Sequence, residues 1–215
     1  MFPINSKKIA SALFFCFITA LSVVMVSCQK EISSQGFLTT EIQPDLTTTI
    51  ITSVSGFVTD ETGKAVSGAI AQVGTKTTTT DKYGYFEVRN TDVIKNAAFV
   101  SVIKSGYFKG IKIYTATAGK AAFFRIKLIP KKNVGSVVAA TGGSVALTNG
   151  LSILLPANAV VIAATNTAYS GQVQVAATWL NPTAADLNLI MPGDLRGLDS
   201  RGFMKLLTTY GMCAV

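Results

Sequence analysis

Residues 54–88 have the sequence VSGFVTDETGKAVSGAIAQVGTKTTTTDKYGYFEV, in which short apolar segments alternate with glycine-containing turns. At the start of this stretch the side chains alternate between two faces, with the two-residue period of a half-buried β-strand. Two turns follow, in which Asp60 precedes Gly63 and Asp81 precedes Gly84. The aspartate of such a turn accepts backbone N–H groups, and the glycine takes left-handed backbone. The pattern predicts roughly three or four strands of a small β-sandwich.

Three further strand-like segments follow at residues 98–104, 111–114 and 122–129, with a turn at Gly106 after the first. Together with the earlier strands they make about seven, which is enough for a complete Ig-like sandwich. We expect an inward-facing set that consists of Val58, Ile70, Val73, Phe86, Val100, Val102 and Ile126.

The order of these residues resembles the carboxypeptidase regulatory-like domain, a transthyretin-like sandwich. The resemblance is carried by Gly56, Val58, Asp60, Gly63, Gly68, Ala69, Val73, Thr80, Asp81, Gly84 and Phe86. The family's V-x-x-x-G-Y step is matched at residues 102–107, and Leu128-Ile129-Pro130 approximates its closing L-x-P. The resemblance covers about residues 50–131 and implies a seven-stranded sandwich there, but it names no ligand.

The N-terminus has the three parts of a secretory signal peptide over residues 1–27: two lysines, an apolar run and the small residue Ser27. We expect this segment to be a signal helix. Residues 25–28, MVSC, resemble the lipobox of bacterial lipoproteins, which implies that Cys28 is acylated and becomes the new N-terminus. The alternative is an uncleaved signal anchor, because an apolar run of about 18 residues just crosses a bilayer.

Residues 29–31, QKE, resemble a short signal that sends some Gram-negative lipoproteins to the cell surface. The predicted location is therefore the outer membrane or cell surface, with a periplasm-facing position as the alternative. Residues 28–49 are rich in serine and threonine, and this composition predicts a flexible tether between the lipid and the sandwich.

A second β-domain is predicted over residues 134–215. Asn149 and Gly150 predict a type I′ hairpin turn, residues 172–180 predict a strand, and residues 199–202 predict another hairpin. The strand pattern still runs at residue 215, so we expect this domain to be incomplete. The whole fold is predicted to be all-β.

The second region is similar to a β-module that accompanies regulatory-like domains in bacterial surface proteins. The strings G-G-x-V-x-L-x-N-G and M-P-G-D-L-R-G carry most of the similarity. Its residues are Gly142, Gly143, Val145, Leu147, Asn149, Gly150, Ile153, Pro156, Ala157, Ala159, Met191, Pro192, Gly193, Asp194, Leu195, Arg196, Gly197, Asp199 and Gly202.

The charge distribution is strongly uneven. The chain has a net charge of +8, and no acidic residue lies between Asp92 and Asp186. This pattern predicts a basic surface that contacts lipid phosphates or an acidic glycan through Lys104, Lys109, Lys112, Arg125 and Lys127. The alternative is a solvated strand face whose lysines protect sheet edges. Nucleic acid is excluded as a partner because the chain is predicted to be exported.

No catalytic residue, cofactor or metal site is predicted. The chain contains no histidine, which removes the commonest general base and metal ligand. Asp194 and Arg196 either form an ion pair that fixes a turn or, with Asp186 and Asp199, contribute to a cation site. Calcium needs about six to eight oxygen ligands in a tight set, so the turn interpretation is favoured.

Three aromatic residues in the second region have two interpretations each, and one cysteine has a single interpretation. Trp179, Tyr169 and Tyr210 could stack on sugar rings if they were exposed, but aromatic residues in strands are more often part of a core. Cys213 is interpreted as a small buried apolar side chain.

These features predict a non-catalytic cell-envelope lipoprotein that acts as a binding, adhesion or scaffold module. Its partners would be the membrane, through Cys28, and an envelope glycan or a partner protein. The alternative is a regulatory or accessory piece of a peptidase-like envelope enzyme whose catalytic domain lies outside this chain, since the related sandwich accompanies such a domain in metallocarboxypeptidases.

Overall fold

The computed structural model describes residues 43–215, and almost all of their regular structure is β-strand. The predictions for residues 1–42, which include the signal peptide, Cys28 and most of the tether, lie outside the described residues. The first strands are β1 (Thr49–Thr59), β2 (Ile70–Val73), β3 (Lys76–Thr79), β4 (Tyr85–Ile94), β5 (Ala98–Ile103), β6 (Gly110–Tyr114) and β7 (Ala121–Lys127). The later elements are β8 (Asn133–Val138), β9 (Gly143–Ala146), β10 (Ser152–Leu155), β11 (Val161–Ile162), β12 (Thr167–Ala168), β13 (Gln172–Ala176), β14 (Thr178–Leu180), α1 (Leu187–Ile190), β15 (Arg196–Leu198), β16 (Met204–Leu206) and β17 (Met212–Ala214).

Strands β1 to β7 form two sheets, with the strand orders β4-β1-β7 and β3-β2-β5-β6. The central strand of the smaller sheet is β1, which pairs antiparallel with β4 and parallel with β7. Gly56 allows a close approach of these strands, since a β-carbon there would overlap the carbonyl oxygen of Phe124 and crowd the Phe86 ring. The predicted all-β sandwich is confirmed.

The core of the sandwich lies between the two sheets. Val58 is 0% exposed, and Phe86 and Ile126 are each 1% exposed. The predicted inward set is confirmed except at Ile70, which is 49% exposed. Val73 faces the core in the same strand, and a residue three positions away must face outward because side chains alternate along a strand. The inward assignment of Ile70 was therefore wrong.

The strands that follow residue 131 pair two by two, as β8 with β13, β9 with β10, β11 with β12, β14 with β17 and β15 with β16. A small cluster of three valines, Val137, Val145 and Val175, is buried between the β8–β13 pair and the β9–β10 pair. The strand predicted at residues 172–180 is interrupted at Ala177, and its two parts pair with different strands, β8 and β17.

The two predicted hairpins of this region differ in outcome. The one at residues 199–202 is confirmed, since β15 and β16 pair on either side of it. At the other, only Gly150 of the two turn residues has a positive φ, of +87°. Leu147 and Leu151 close a longer loop through a 2.8 Å backbone hydrogen bond. The predicted type I′ turn, which needs positive φ at both residues, is wrong.

Residues 43–215 belong to one compact unit, and the domain boundary predicted near residues 131–134 stays a prediction. The last residues of the predicted tether contact this unit. Asn96 donates a side-chain hydrogen bond of 2.9 Å to the Asp45 carbonyl, and Gln43 donates one of 3.1 Å to the Arg201 carbonyl.

Two substitutions of comparable chemistry test the burial pattern. Phe86→Ala is expected to lower the free energy of unfolding by about 3–5 kcal/mol, because it removes a fully buried ring and leaves a cavity. Ile70→Ala is expected to cost less than about 1 kcal/mol, because its side chain is on the outer face. Guanidinium denaturation of both variants measures the difference, and equal losses of stability would contradict the assignment of the two faces.

Candidate binding surface

The outer surface of the β4-β1-β7 sheet carries a cluster of three aromatic rings, which we call the aromatic face: Phe57, Tyr85 and Phe123. Since the neighbouring residues of β1 and β7 point into the core, alternation sends these three outward. The Phe57 ring centroid lies 5.4 Å from that of Tyr85 and 6.0 Å from that of Phe123. Phe57 is 37% exposed and Phe123 is 53% exposed. A contiguous patch of large exposed apolar side chains is typical of an interaction surface.

One unpaired positive charge accompanies the aromatic face. Arg125 lies opposite Phe57 in the register of β1 and β7, and its side chain is exposed. Over residues 43–215 it has no ion-pair partner. On the same sheet face, Arg89 pairs with Glu87 at 2.8 Å. Exposed aromatic residues beside an arginine have the composition of the energetically important centre of protein–protein interfaces.

Three of the five predicted anion-contacting residues are engaged elsewhere. The Lys104 ammonium donates to the Ser67 carbonyl at 2.8 Å. Lys112 is only 7% exposed, and Lys127 pairs with Asp186 at 2.7 Å. Lys109 and Arg125 remain exposed. The prediction of an anion-contacting surface is therefore corrected at Lys104, Lys112 and Lys127, because these three bind carbonyl or carboxylate groups of the chain itself.

Lys112 connects the sandwich to the second region. It lies in β6, an edge strand, and its ammonium donates hydrogen bonds to the carbonyls of Asn188 at 2.5 Å and Met191 at 3.0 Å. These carbonyls are at the C-terminal end of α1, where a helix leaves its last C=O groups without intrahelical partners. Burial lowers the pKa of Lys112 to about 8.

Two more cations bridge the same parts of the chain. The Lys127 ammonium in β7 holds the pKa of the Asp186 carboxyl, which precedes α1, below its usual value. Arg196 pairs with Asp194 at 2.5 Å and also donates to the Thr115 hydroxyl at 2.9 Å. We call Lys112, Lys127 and Arg196 the three bridging cations. The sequence indicated the Asp194–Arg196 turn but not these long-range contacts, whose partners lie between 59 and 81 residues away.

The aspartates predicted to lie in turns form loops of one type, which occurs three times. In each case the aspartate Oδ1 accepts N–H groups from the second and fourth following residues, and the third following residue is a glycine with positive φ. Asp60, Asp81 and Asp199 form the three loops, with φ of +86°, +76° and +83° at Gly63, Gly84 and Gly202. The predicted turn residues Gly106 and Gly193 also have positive φ, of +84° and +76°, and Pro192 immediately precedes the second of them. These residues therefore stabilise turns.

The structure does not bring the acidic residues together. Among residues 43–215 no group of three or more histidine, cysteine, aspartate or glutamate side chains is placed to hold a metal ion. Asp186 and Asp194 face different bridging cations instead. No helix in the same range is long and apolar enough to span a membrane.

The core interpretation of the second region's aromatic residues is wrong. Trp179 and Tyr169 are each 37% exposed, and Tyr210 is 93% exposed. Cys213, which was predicted to be buried, is a free and exposed cysteine. These side chains belong to two-stranded sheets or to the loops beside them, and they stay exposed there.

Comparison with known proteins gave partial structural similarities. No family model and no curated protein sequence matches the chain. A chain from a type II Cohesin-X-Dockerin complex of Acetivibrio cellulolyticus is 22% identical, with a TM-score of 0.31, and the match covers 37% of this chain and 58% of that one. A Bacteroides fragilis protein of unknown function, described as membrane-associated, is 20% identical with a TM-score of 0.30, over 43% of this chain and 33% of that one. The Bacillus anthracis TIE protein is 15% identical with a TM-score of 0.32, over 60% of this chain and 27% of that one.

The buried position of Lys112 predicts a pH dependence of stability. The folded pKa of about 8 lies below the ordinary value of 10.5. As the pH rises, the folded chain therefore releases this proton at a lower pH than the unfolded chain does. The free energy of unfolding is therefore expected to rise as the pH increases from 8 towards 10.5, and this contribution is lost as the pH falls through 8. The neutral amine keeps two N–H donors for its carbonyl partners.

Urea denaturation of the wild type and of Lys112→Met at several pH values across this range measures the effect. The difference between the two curves isolates the contribution of Lys112 from that of every other group. A difference that does not change with pH would contradict the buried, shifted lysine.

Proposed function

We propose that the chain is a non-catalytic binding or scaffold module of the bacterial cell envelope. Lipid on Cys28 holds it at the outer membrane or cell surface, and the aromatic face binds a partner protein. The observation that carries the proposal is the exposed cluster of Phe57, Tyr85 and Phe123 beside the unpaired Arg125.

The sequence supports the anchor. A basic start, an apolar run and a small residue precede Cys28, in the order that lipoprotein signal peptides use. Acyl chains on that cysteine would hold the protein stably only as a set of two or more, since a single chain gives marginal binding.

The ring geometry favours a protein over a glycan at the aromatic face. The Phe57 ring is tilted by 57° from the Tyr85 ring and by 70° from the Phe123 ring. Sugar rings stack on flat aromatic surfaces, and tilted rings that pack edge to face offer no common plane. Apolar side chains of a protein fit between such rings, and a carboxylate of the partner would face Arg125. The partner is therefore a protein with an apolar patch next to an acidic residue.

The composition supports a non-catalytic role. Without histidine, catalysis would depend on carboxylate, lysine or serine groups alone. The described aspartates that the sequence singled out instead accept turn N–H groups or pair with cations.

Photo-crosslinking in the native cells tests the proposal. The full chain carries a photoreactive residue at position 123 or, as a matched control, at position 99, where Phe99 is 42% exposed on the other sheet. We expect a discrete protein adduct from position 123 only. The purified partner should then bind Phe57→Ser at least about tenfold more weakly than wild type. The Cys28→Ala form should leave the membrane fraction but keep its affinity for the partner.

The outcomes separate the two parts of the proposal. Equal adducts from both positions, or unchanged affinity of Phe57→Ser, would reject the aromatic face as the binding surface. A processed Cys28→Ala form that remains with the membranes would reject the lipid anchor.

A further inference from the structure

A second surface, separate from the aromatic face, has the features of a ligand site. It is a groove with a volume of about 440 Å³ in the second region of the chain. Its lining residues are Asn149, Gly150, Leu151, Trp179, Tyr210, Gly211, Met212 and Cys213. Small-molecule sites typically have volumes of roughly 300–1,000 Å³, aromatic walls and a few polar groups.

Strand pairing fixes the position of Trp179 in the groove. It lies opposite Cys213 in the antiparallel pair of β14 and β17. The indole Nε1 would be 2.9 Å from a β-carbon at Gly211, so only a glycine lets the indole edge lie this close to the backbone. Within residues 43–215 the indole N–H donates to no acceptor. The ring is 37% exposed, which leaves part of its surface available to a ligand.

Tyr210 and Asn149 complete the groove. Tyr210 is 93% exposed, and the turn that holds it is closed by a 3.2 Å hydrogen bond from the Gly211 N–H to the Thr209 hydroxyl. The Asn149 carboxamide oxygen accepts a weak 3.4 Å bond from the Leu151 N–H, while its NH₂ group bonds to no other described residue. The groove thus combines two exposed aromatic rings with a free amide donor.

The charge of the groove selects among ligand classes. No lysine, arginine, aspartate or glutamate lines it, although the chain as a whole carries a net charge of +8. An anionic lipid or an acidic glycan would find no cation here. A neutral pyranose fits, because its C–H face packs on an aromatic ring while a hydroxyl accepts a hydrogen bond from the Asn149 amide.

We propose that this groove binds a neutral oligosaccharide, with Trp179 as the stacking platform. Tyr210 contacts an adjacent sugar ring, and Asn149 donates to a hydroxyl. The site adds a glycan-binding activity to the chain and does not depend on the partner protein proposed for the aromatic face.

Tryptophan fluorescence tests this proposal directly, since Trp179 is the single tryptophan of the chain. The full chain is purified in a detergent without a sugar headgroup and titrated with pentamers of maltose, cellulose, chitin, mannan and xylan type. We expect a saturable change in emission with at least one of them. Tyr210→Ala should weaken that binding by at least about tenfold, and Asn149→Ala should weaken it to a smaller extent.

Two controls make the result specific. Phe123→Ala, which changes only the aromatic face, should bind the sugar like the wild type. Because Tyr210 is almost fully exposed, Tyr210→Ala should keep the wild-type circular dichroism spectrum. The proposal is overturned if no pentamer changes the emission saturably, or if Tyr210→Ala and Asn149→Ala bind with unchanged affinity.

Discussion

A buried lysine determines how the two parts of this chain fit together. Taking an ammonium group out of water is costly unless hydrogen bonds replace its hydration. Lys112 obtains those bonds from the carbonyls of Asn188 and Met191, and the same bonds satisfy acceptors that a helix end would otherwise leave unpaired. The contact therefore requires residues 187–191 to cover the edge of β6. Breaking this contact would leave either the Lys112 ammonium or the carbonyls of Asn188 and Met191 without hydrogen-bond partners.

The second region depends on this contact because its own core is small. It has a cluster of three buried valines and two-stranded sheets, and isolated two-stranded pairs are marginally stable in water. The sandwich has two sheets and a continuous buried core, so it can act as a rigid base. The three bridging cations attach the second region to that base. The proposed glycan groove lies in the second region, so its geometry depends on this attachment. Function in this chain would then lie on two surfaces: a sheet face that is rigid by itself, and a groove that is ordered by contacts made elsewhere.

The sequence predicted what local periodicity controls. Alternation and turn residues in residues 54–88 located the strands and the Asp-x-x-Gly loops, because these depend on neighbours within about five positions. The prediction failed at Ile70, where the hydrophobicity of the side chain was given more weight than the two-residue period of the strand. It also failed at Asn149, where a longer loop forms in place of the type I′ turn that the Asn-Gly dipeptide favours. Lys112 was placed on the surface because no local pattern shows that a helix end more than 70 residues later will cover it. Trp179 was placed in a core because an aromatic residue in a strand pattern gives no sign of which face of the strand is exposed.

Hydrogen–deuterium exchange tests most directly whether the second region is held by the buried lysine. Lys112→Met is compared with Lys104→Met, whose ammonium bonds only to carbonyls within the sandwich among the described residues. Lys112→Met is expected to speed exchange at residues 187–198 and 212–214 by at least about tenfold, through local opening. Exchange in β1 and β4 should stay at the wild-type rate, and Lys104→Met should leave the second region unchanged. Wild-type exchange at residues 187–198 in Lys112→Met, or equal acceleration throughout the chain, would show that Lys112 does not hold the second region in place.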